Sequence, residues 1–311
     1  MSKYKLAFVG TPKFAVPCLT ALLNDSRFEI KAVISQPDMP SGRSMEFTPT
    51  PVKVVAEANK ITVFQPQKIS QIVDELRAME LDAIVVVAYA QIIPESVLSL
   101  PKFGCINVHG SLLPKYRGAS VLQAPILNNE TDSGVTIMLM DKTLDTGPIL
   151  RQRSVKLSAE ETAETLGETL SSLGAEILPD TIVSYFSGDI KAVEQDNSLA
   201  NYVGRLEKKD GIIDWSQDAK KIECFTRAMA PWPSAWTWLA GKQLKILKVD
   251  ALMIPINSQK PGKTFIYNSN LAVQCGHDSL IVRKLQLEGK KPMAAEEFLR
   301  GYNDFIGTVL G

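Results

Sequence analysis

Residues 82–88 read DAIVVVA, an apolar and largely β-branched run with no polar residue after Asp82. A strand with one face in water alternates apolar and polar positions, whereas a strand covered on both faces stays apolar, which is the habit of parallel sheets. Working outward from this run, strand and helix signals alternate on either side. Residues 5–10 (KLAFVG) form a short apolar run stopped by Gly10 and Pro12, and Phe14, Leu19, Leu22 and Leu23 then follow at helical spacing. Residues 30–34 predict a second strand, 52–59 a helix, 61–64 a brief strand and 69–80 another helix. On the other side, residues 105–109 and the segment GVTIMLM predict two more strands. Residues 159–188 predict a long helix or helix pair, opened by a capping box of Ser158 and Glu161. Together these signals imply an α/β, Rossmann-like fold with a mostly parallel sheet.

From about residue 206 the pattern changes to short apolar runs between turn signals, among them LKILKVDAL, GKTFIYN, LAVQC and LIVRKLQL. This half reads as a small β-barrel or compact β domain. Residues 190–205 are polar and without period, and read as a linker. The expected organisation is therefore an α/β domain over 1–189, a linker over 190–205 and a β domain over 206–311. A chain of 311 residues suits two domains.

With 45% hydrophobic and 22% charged residues, the chain can bury a substantial core and is not a disordered protein. The formal charge is zero, but residues 1–190 hold 17 basic and 21 acidic groups, while 191–311 hold 17 and 13. A basic C-terminal half can meet phosphate, although solvated lysine faces are common on ordinary domains. Cys18, Cys105, Cys224 and Cys275 show no metal-ligand spacing, and with only His109 and His277 beside them no metal site is expected. No signal-peptide pattern opens the chain and no apolar stretch approaches 18 residues. The expectation is a cytoplasmic protein with no membrane association, and a monomer, since no coiled-coil pattern appears.

The strongest local signal is GCINVHGSLLPKYRGAS at residues 104–120. Asn107 and His109 are two apart on a predicted strand, so their side chains emerge on one face. Open α/β sheets place ligands at the carboxyl ends of such strands. A second segment, MDKTLDTGPIL at 140–150, offers Asp141 and Asp145, between which spacing does not choose. An Asn, a His and an Asp on neighbouring strand ends suit acyl transfer: a donor for an oxyanion, an imidazole, and a carboxylate to orient or charge it. The turn Gly10-Thr11-Pro12 lacks the G-x-G-x-x-G of a dinucleotide site, which argues against NAD.

The pair NVHGSLLPKYRGAS and LDTGPIL, with 35 residues between His109 and Asp145, resembles the signature of the 10-formyltetrahydrofolate-dependent formyltransferases. The resemblance implies Asn107, His109 and Asp145 as catalytic residues and 10-formyltetrahydrofolate as co-substrate. It also implies that Ser111, Leu112, Leu113 and Pro114 line the folate site, with the pterin along the main chain of residues 87–91. Within the family, the similarity is to the members acting on methionyl-initiator tRNA, and it runs through nearly the whole chain. FVGTPKFAVPCLTALL is similar to their first strand, turn and helix, and RAMAPWPSAWTWL and LQLEGKKPMAAEEFLRG to their C-terminal OB-like barrel. QPDMPSGRSMEFTPTPVKVVAE resembles their inserted loop, which implies that Arg43 contacts the tRNA acceptor stem. Family loops commonly carry lysines just after that position, where this chain has Ser44, Met45 and Glu46, so the grip there should be weaker. Trp232, Trp236 and Trp238 suit a base-stacking surface, although buried aromatics are the commoner outcome in a β domain.

Two other readings compete. One is a formyltransferase of the same design acting on a nucleotide-sugar amine or a purine-pathway ribonucleotide. The purine enzyme lacks a comparable C-terminal domain, whereas the sugar enzyme has one, and against it the Gly42-Arg43 loop and the Trp232-Pro233 segment favour tRNA. The other is a non-catalytic RNA-binding protein using the β domain as an OB-type module, against which the Asn-His-Asp set argues.

Overall fold

The computed structural model describes residues 3–41, 46–252 and 259–311. Arg43, the candidate tRNA contact, lies outside the described residues, as do Ser44 and Met45. The chain divides into two compact bodies. One comprises residues 1–121, 132–156 and 167–203, the other residues 122–131, 157–166 and 204–311.

The first body is built on a seven-stranded sheet. Its strands are β1 (Tyr4–Gly10), β2 (Phe28–Ile34), β3 (Val63–Phe64), β4 (Ala83–Val87), β5 (Cys105–His109), β6 (Asp132–Leu139) and β7 (Ile149–Lys156). They lie in the order β7-β6-β5-β4-β1-β2-β3. From β3 to β5 all pairings are parallel; β6 then pairs antiparallel with β5, and β7 antiparallel with β6. Chain direction across the sheet thus reverses its winding between β1 and β4, the kind of position where open α/β sheets carry a ligand crevice.

All five residues of β4 are buried, as its unbroken apolar run predicts. Successive side chains alternate between two cores. Leu6, Phe8, Val85, Val87, Ile106 and Val108 face Cys18, Leu19 and Leu22 of helix α1 (Val16–Leu23) and Ile177, Leu178 and Ile182. Ala7, Val9, Ile84 and Val86 face Ile69, Ile72 and Leu76 on the other side. Each fully buried Leu, Ile or Val contributes about 1.5–3 kcal/mol of transfer free energy, so this double burial fixes the register of the central strands.

Three local expectations differ from the structure. The long helix runs Ala163–Ser187, not from 159, because Thr162 is its cap: the Thr165 N–H donates to Thr162 Oγ1 (3.2 Å) and the Thr162 N–H to Thr165 Oγ1 (3.0 Å). The helix expected over 69–80 begins as a 3-10 turn, Ile69–Ile72, and is α-helical only over Val73–Ala78. Residues 190–203, polar and read as part of a linker, return along the first body. Val193 bridges Ile149, and Tyr202–Val203 pairs in parallel with Arg117–Gly118. Their polarity reflects hydrogen-bonding work, not solvent exposure alone, since Gln195 is buried.

The second body carries β8 (Ala235–Leu239), β9 (Lys242–Leu252), β10 (Thr264–Tyr267), β11 (Asn270–Gln274) and β12 (Ser279–Leu287). They form an antiparallel sheet in the order β8-β9-β12-β11-β10, extended by Met293–Ala294 beside β12. The β9–β12 register shifts at Ile246, Lys248 and Val249, the kind of irregularity that bends a long strand pair. The helix Ala219–Ala228 places Ala219 and Ile222 in one core with Leu244, Ile246, Val273, Leu280 and Phe298. Of the tryptophans, Trp236 is buried, its indole N–H donating to the Lys208 carbonyl (3.1 Å), while Trp232 and Trp238 are exposed.

Candidate active site

The last residues of β5 deliver the first two candidate groups. Asn107 and His109 share the face of Cys105, opposite the inward-packed Ile106 and Val108. His109 is buried and its ring is held: Nε2–H donates to the Tyr116 carbonyl at 3.0 Å. A carbonyl only accepts, so that nitrogen carries the hydrogen and Nδ1 is the one left for chemistry. Nδ1 lies 3.7 Å from Asp145 Oδ1. The other carboxylate oxygen of Asp145 accepts the Gly118 N–H at 2.8 Å. Asp145 itself adopts a left-handed backbone (φ 56°), an uncommon conformation outside glycine that marks a loop shaped by its surroundings.

Asn107 is 9% exposed, and its carboxamide has no hydrogen-bond partner among the described residues. Its amide atoms are not among the fully buried polar atoms left without a partner, so the carboxamide is open to an incoming carbonyl oxygen. The two aspartates of the 140–150 segment separate by environment. Asp141 is exposed and its carboxylate caps its own turn, accepting from the Thr143 N–H (3.0 Å) and the Thr146 hydroxyl (2.7 Å). Asp145 is the one brought to His109.

The candidate folate segment has its polar groups committed to the protein. Ser111 Oγ donates to the Lys115 carbonyl (2.7 Å), and the Ser111 carbonyl accepts from Thr136 Oγ1 (2.6 Å). The Leu113 N–H donates to Thr136 Oγ1 (3.1 Å), and its carbonyl accepts from Gln152 Nε2 (2.8 Å). Ser111 and Leu113 are buried, whereas Leu112 and Pro114 keep part of their surface exposed. The segment thus offers a ligand an apolar edge rather than a hydroxyl.

At the carboxyl ends of β1, β2 and β4 lies a polar network. Gln36 Nε2 donates to the Tyr89 carbonyl (2.9 Å), Gln65 Nε2 to the Gln36 carbonyl (2.8 Å), and Gln91 Nε2 to Gln36 Oε1 (3.2 Å). Hydrogen bonds from Lys53 and then Gln65 hold the Asp38 carboxyl below its ordinary range. In this network Ala88 (φ 49°) and Ala90 (φ 62°) are both left-handed and exposed, while Tyr89 between them is buried with a hydroxyl lacking a partner among the described residues. Burial pushes that phenol up. Gly10 belongs to the same edge, and a Cβ there would stand 2.8 Å from the Val87 carbonyl oxygen. Its glycine serves close strand approach.

Tyr116 and Gly118, which act through main-chain atoms, were not legible as site residues, because nothing in a side-chain pattern signals a carbonyl or an N–H. Among the described residues there is no group of three or more His, Cys, Asp or Glu side chains able to hold a metal, and no helix is long and apolar enough to cross a membrane.

Two family models match the chain: Formyl transferase over residues 4–182 and Formyl transferase, C-terminal domain, over residues 205–303. The chain is 43% identical over 314 aligned residues to the methionyl-tRNA formyltransferase of Citrifermentans bemidjiense, covering 100% of this chain and 98% of that one. Among solved structures it shares its fold with the N-formyltransferase of Helicobacter canadensis, crystallised with folinic acid and dTDP-3-aminofucose (TM-score 0.68, 21% identity, 90% of this chain and 98% of that one). It also shares it with the methionyl-tRNA formyltransferase of Clostridium thermocellum (TM-score 0.58, 16% identity, 90% and 99%). Similar along its entire length to such relatives and matched in both halves by the two models, the chain belongs to the formyl transferase family, with the methionyl-tRNA formyltransferases.

Proposed function

We propose that this chain transfers the formyl group of 10-formyltetrahydrofolate to the α-amine of methionyl-initiator tRNA, with Asn107, His109 and Asp145 carrying the reaction. The observation that supports these roles is the 3.7 Å approach of His109 Nδ1 to Asp145 beside an unpartnered Asn107.

The nucleophile must be a neutral amine, and an α-amino group titrates near about 7.7–8.0, so only a modest proton shift is required at neutral pH. Asn107 donates its amide hydrogen to the formyl oxygen as the amine nitrogen bonds to the formyl carbon and the carbonyl electron pair moves onto oxygen. His109 takes the amine proton on Nδ1, because Nε2 is occupied by Tyr116. Asp145 offsets the positive charge that the imidazole then carries. As the tetrahedral centre collapses, the bond to the folate nitrogen breaks and His109 returns the proton to that nitrogen.

Leu112 and Pro114 supply apolar contact to the folate, and Ser111 and Leu113 hold the turn that presents them. The main chain of residues 87–91 faces the pterin edge. The tRNA is held by phosphate contacts from the basic C-terminal domain over 206–311 and by Arg43 at the acceptor stem. We place the enzyme in the cytoplasm as a monomer.

The test is transfer of labelled formyl from 10-formyltetrahydrofolate to charged initiator tRNA by the purified protein, with nucleotide-linked amino sugars as the competing acceptors. Label on the amino sugar and none on the tRNA would overturn the acceptor, and label on neither would overturn the reaction. Affinity for tRNA should fall steeply with salt, because phosphate binding releases counterions.

A further inference from the structure

We infer that Arg117 and Gln195 form a positioning device for Asp145, one that rests on the catalytic reading above. Arg117 is 2% exposed, and Gln195 is 8% exposed. Every hydrogen bond of the guanidinium to the described residues goes to a neutral oxygen. Nε and Nη2 both donate to Gln195 Oε1 (3.1 and 2.7 Å), Nη2 also donates to Asn197 Oδ1 (2.8 Å), and Nη1 to the Tyr202 hydroxyl (3.0 Å). Among the described residues no carboxylate pairs with it. Burying a cation is costly unless its surroundings compensate, so an arginine held here against uncharged partners needs a reason other than ion-pair stability.

Gln195 supplies the reason. With its oxygen fixed twice by the guanidinium, its amide can point only one way, and Nε2 donates to the carbonyls of Asp145 (2.9 Å) and Gly147 (2.8 Å). These two carbonyls flank the left-handed turn that aims the Asp145 carboxylate at His109. The adjacent Gly118 completes the grip from the other side by donating its N–H to Asp145 Oδ2 (2.8 Å). Arg117 and Gly118 are also the pair that takes Tyr202–Val203 as a parallel partner. One short stretch of chain therefore fixes both the main chain and the carboxylate of Asp145. Neither Arg117 nor Gln195 hydrogen-bonds to His109, so both act through the aspartate.

Gln195→Glu separates this role from simple stabilisation. The new carboxylate still accepts from Arg117, but it cannot donate to the two carbonyls and repels them instead. The expected result is a fall in kcat of roughly 10- to 100-fold, the scale on which misplacing a reacting group acts. KM for the formyl donor should stay within about three-fold, since that split marks loss of an interaction made in the transition state. Residues acting as a unit are non-additive, so on an Asp145→Asn background the same change should cost less than about three-fold more. Full turnover in Gln195→Glu, or a loss carried whole onto Asp145→Asn, overturns the inference. Wild-type turnover in Asp145→Asn alone would instead overturn the catalytic reading beneath it. Should Gln195→Glu not fold, Asn197→Ala with Tyr202→Phe, both at exposed side chains, withdraws two acceptors from Arg117. That pair must lower kcat with the same non-additivity, and unchanged turnover overturns the device.

Discussion

The carbonyl of Tyr116 fixes which nitrogen of His109 carries its hydrogen: the 3.0 Å bond occupies Nε2 and turns Nδ1 towards Asp145. A histidine so held exchanges protons through one nitrogen only. His109→Asn keeps a small polar group near the Nδ1 position but has no basic nitrogen. Turnover should fall by about 10²- to 10⁴-fold, the usual contribution of a positioned acid–base group, with folate affinity changed only a few-fold. Steady-state kinetics beside equilibrium folate binding reads both, and turnover within ten-fold of wild type would exclude proton exchange as the role of His109.

Asp141 and Asp145 make a matched pair for a second experiment. Asp141 caps its own exposed turn, so Asp141→Asn should change stability by about 1 kcal/mol or less, in line with a weakened cap, and leave turnover within a few-fold. Asp145→Asn removes the charge facing His109 and should reduce kcat by at least about 10²-fold. Equal losses in the two variants would mean that the loop as a whole, and not the carboxylate at 145, matters to the reaction.

The contrast between those aspartates shows where sequence reading ends. The strand core was legible because burial on both faces leaves an unbroken apolar run, as at residues 82–88. The placement of Asn107 and His109 on one face followed from the two-residue period of a strand. Spacing could not separate Asp141 from Asp145, because the difference lies in which carboxylate spends its lone pairs on its own turn. The stretch 190–203 has the polarity of a linker for a related reason: Gln195 and Asn197 look solvated by type, and only the buried guanidinium of Arg117, far away in sequence, gives them a structural partner. Arg43 is the converse case, carried by resemblance alone and lying outside the described residues.

Gly118 is a position where a single methyl group should be felt at the site. Its φ is 111°, and a Cβ would stand 2.3 Å from the Val203 carbonyl oxygen. Gly118→Ala must therefore move either the pairing with Tyr202–Val203 or the N–H that holds Asp145. The expected cost is about 1–3 kcal/mol from the strained backbone, read as a lowered thermal midpoint, together with a kcat loss out of proportion to the folded fraction. A variant with normal stability and normal kcat would show that this strand pair yields freely and does not set the position of Asp145.

In the second body, Glu223 is buried and bonded by Arg227 and by Lys220 (2.8 Å), and Arg227 also donates to the Glu161 carbonyl (2.7 Å). Burial pushes the Glu223 carboxyl up, but the hydrogen bonds from Arg227 and Lys220 outweigh it and leave the group below its ordinary value. A carboxyl depressed in the folded state adds stability that is complete above its unfolded pKa, about 4.3, and is lost as pH falls through the lower folded value. Glu223→Ala strands a half-buried guanidinium, so at neutral pH it should cost roughly 3 kcal/mol. Because the mutant has already lost the linked term, the gap between it and wild type should narrow as pH falls below about 4.3. Denaturant titrations across that range would measure it. A gap that stays constant down to the acid transition would mean that Glu223 contributes through packing and not through its charge.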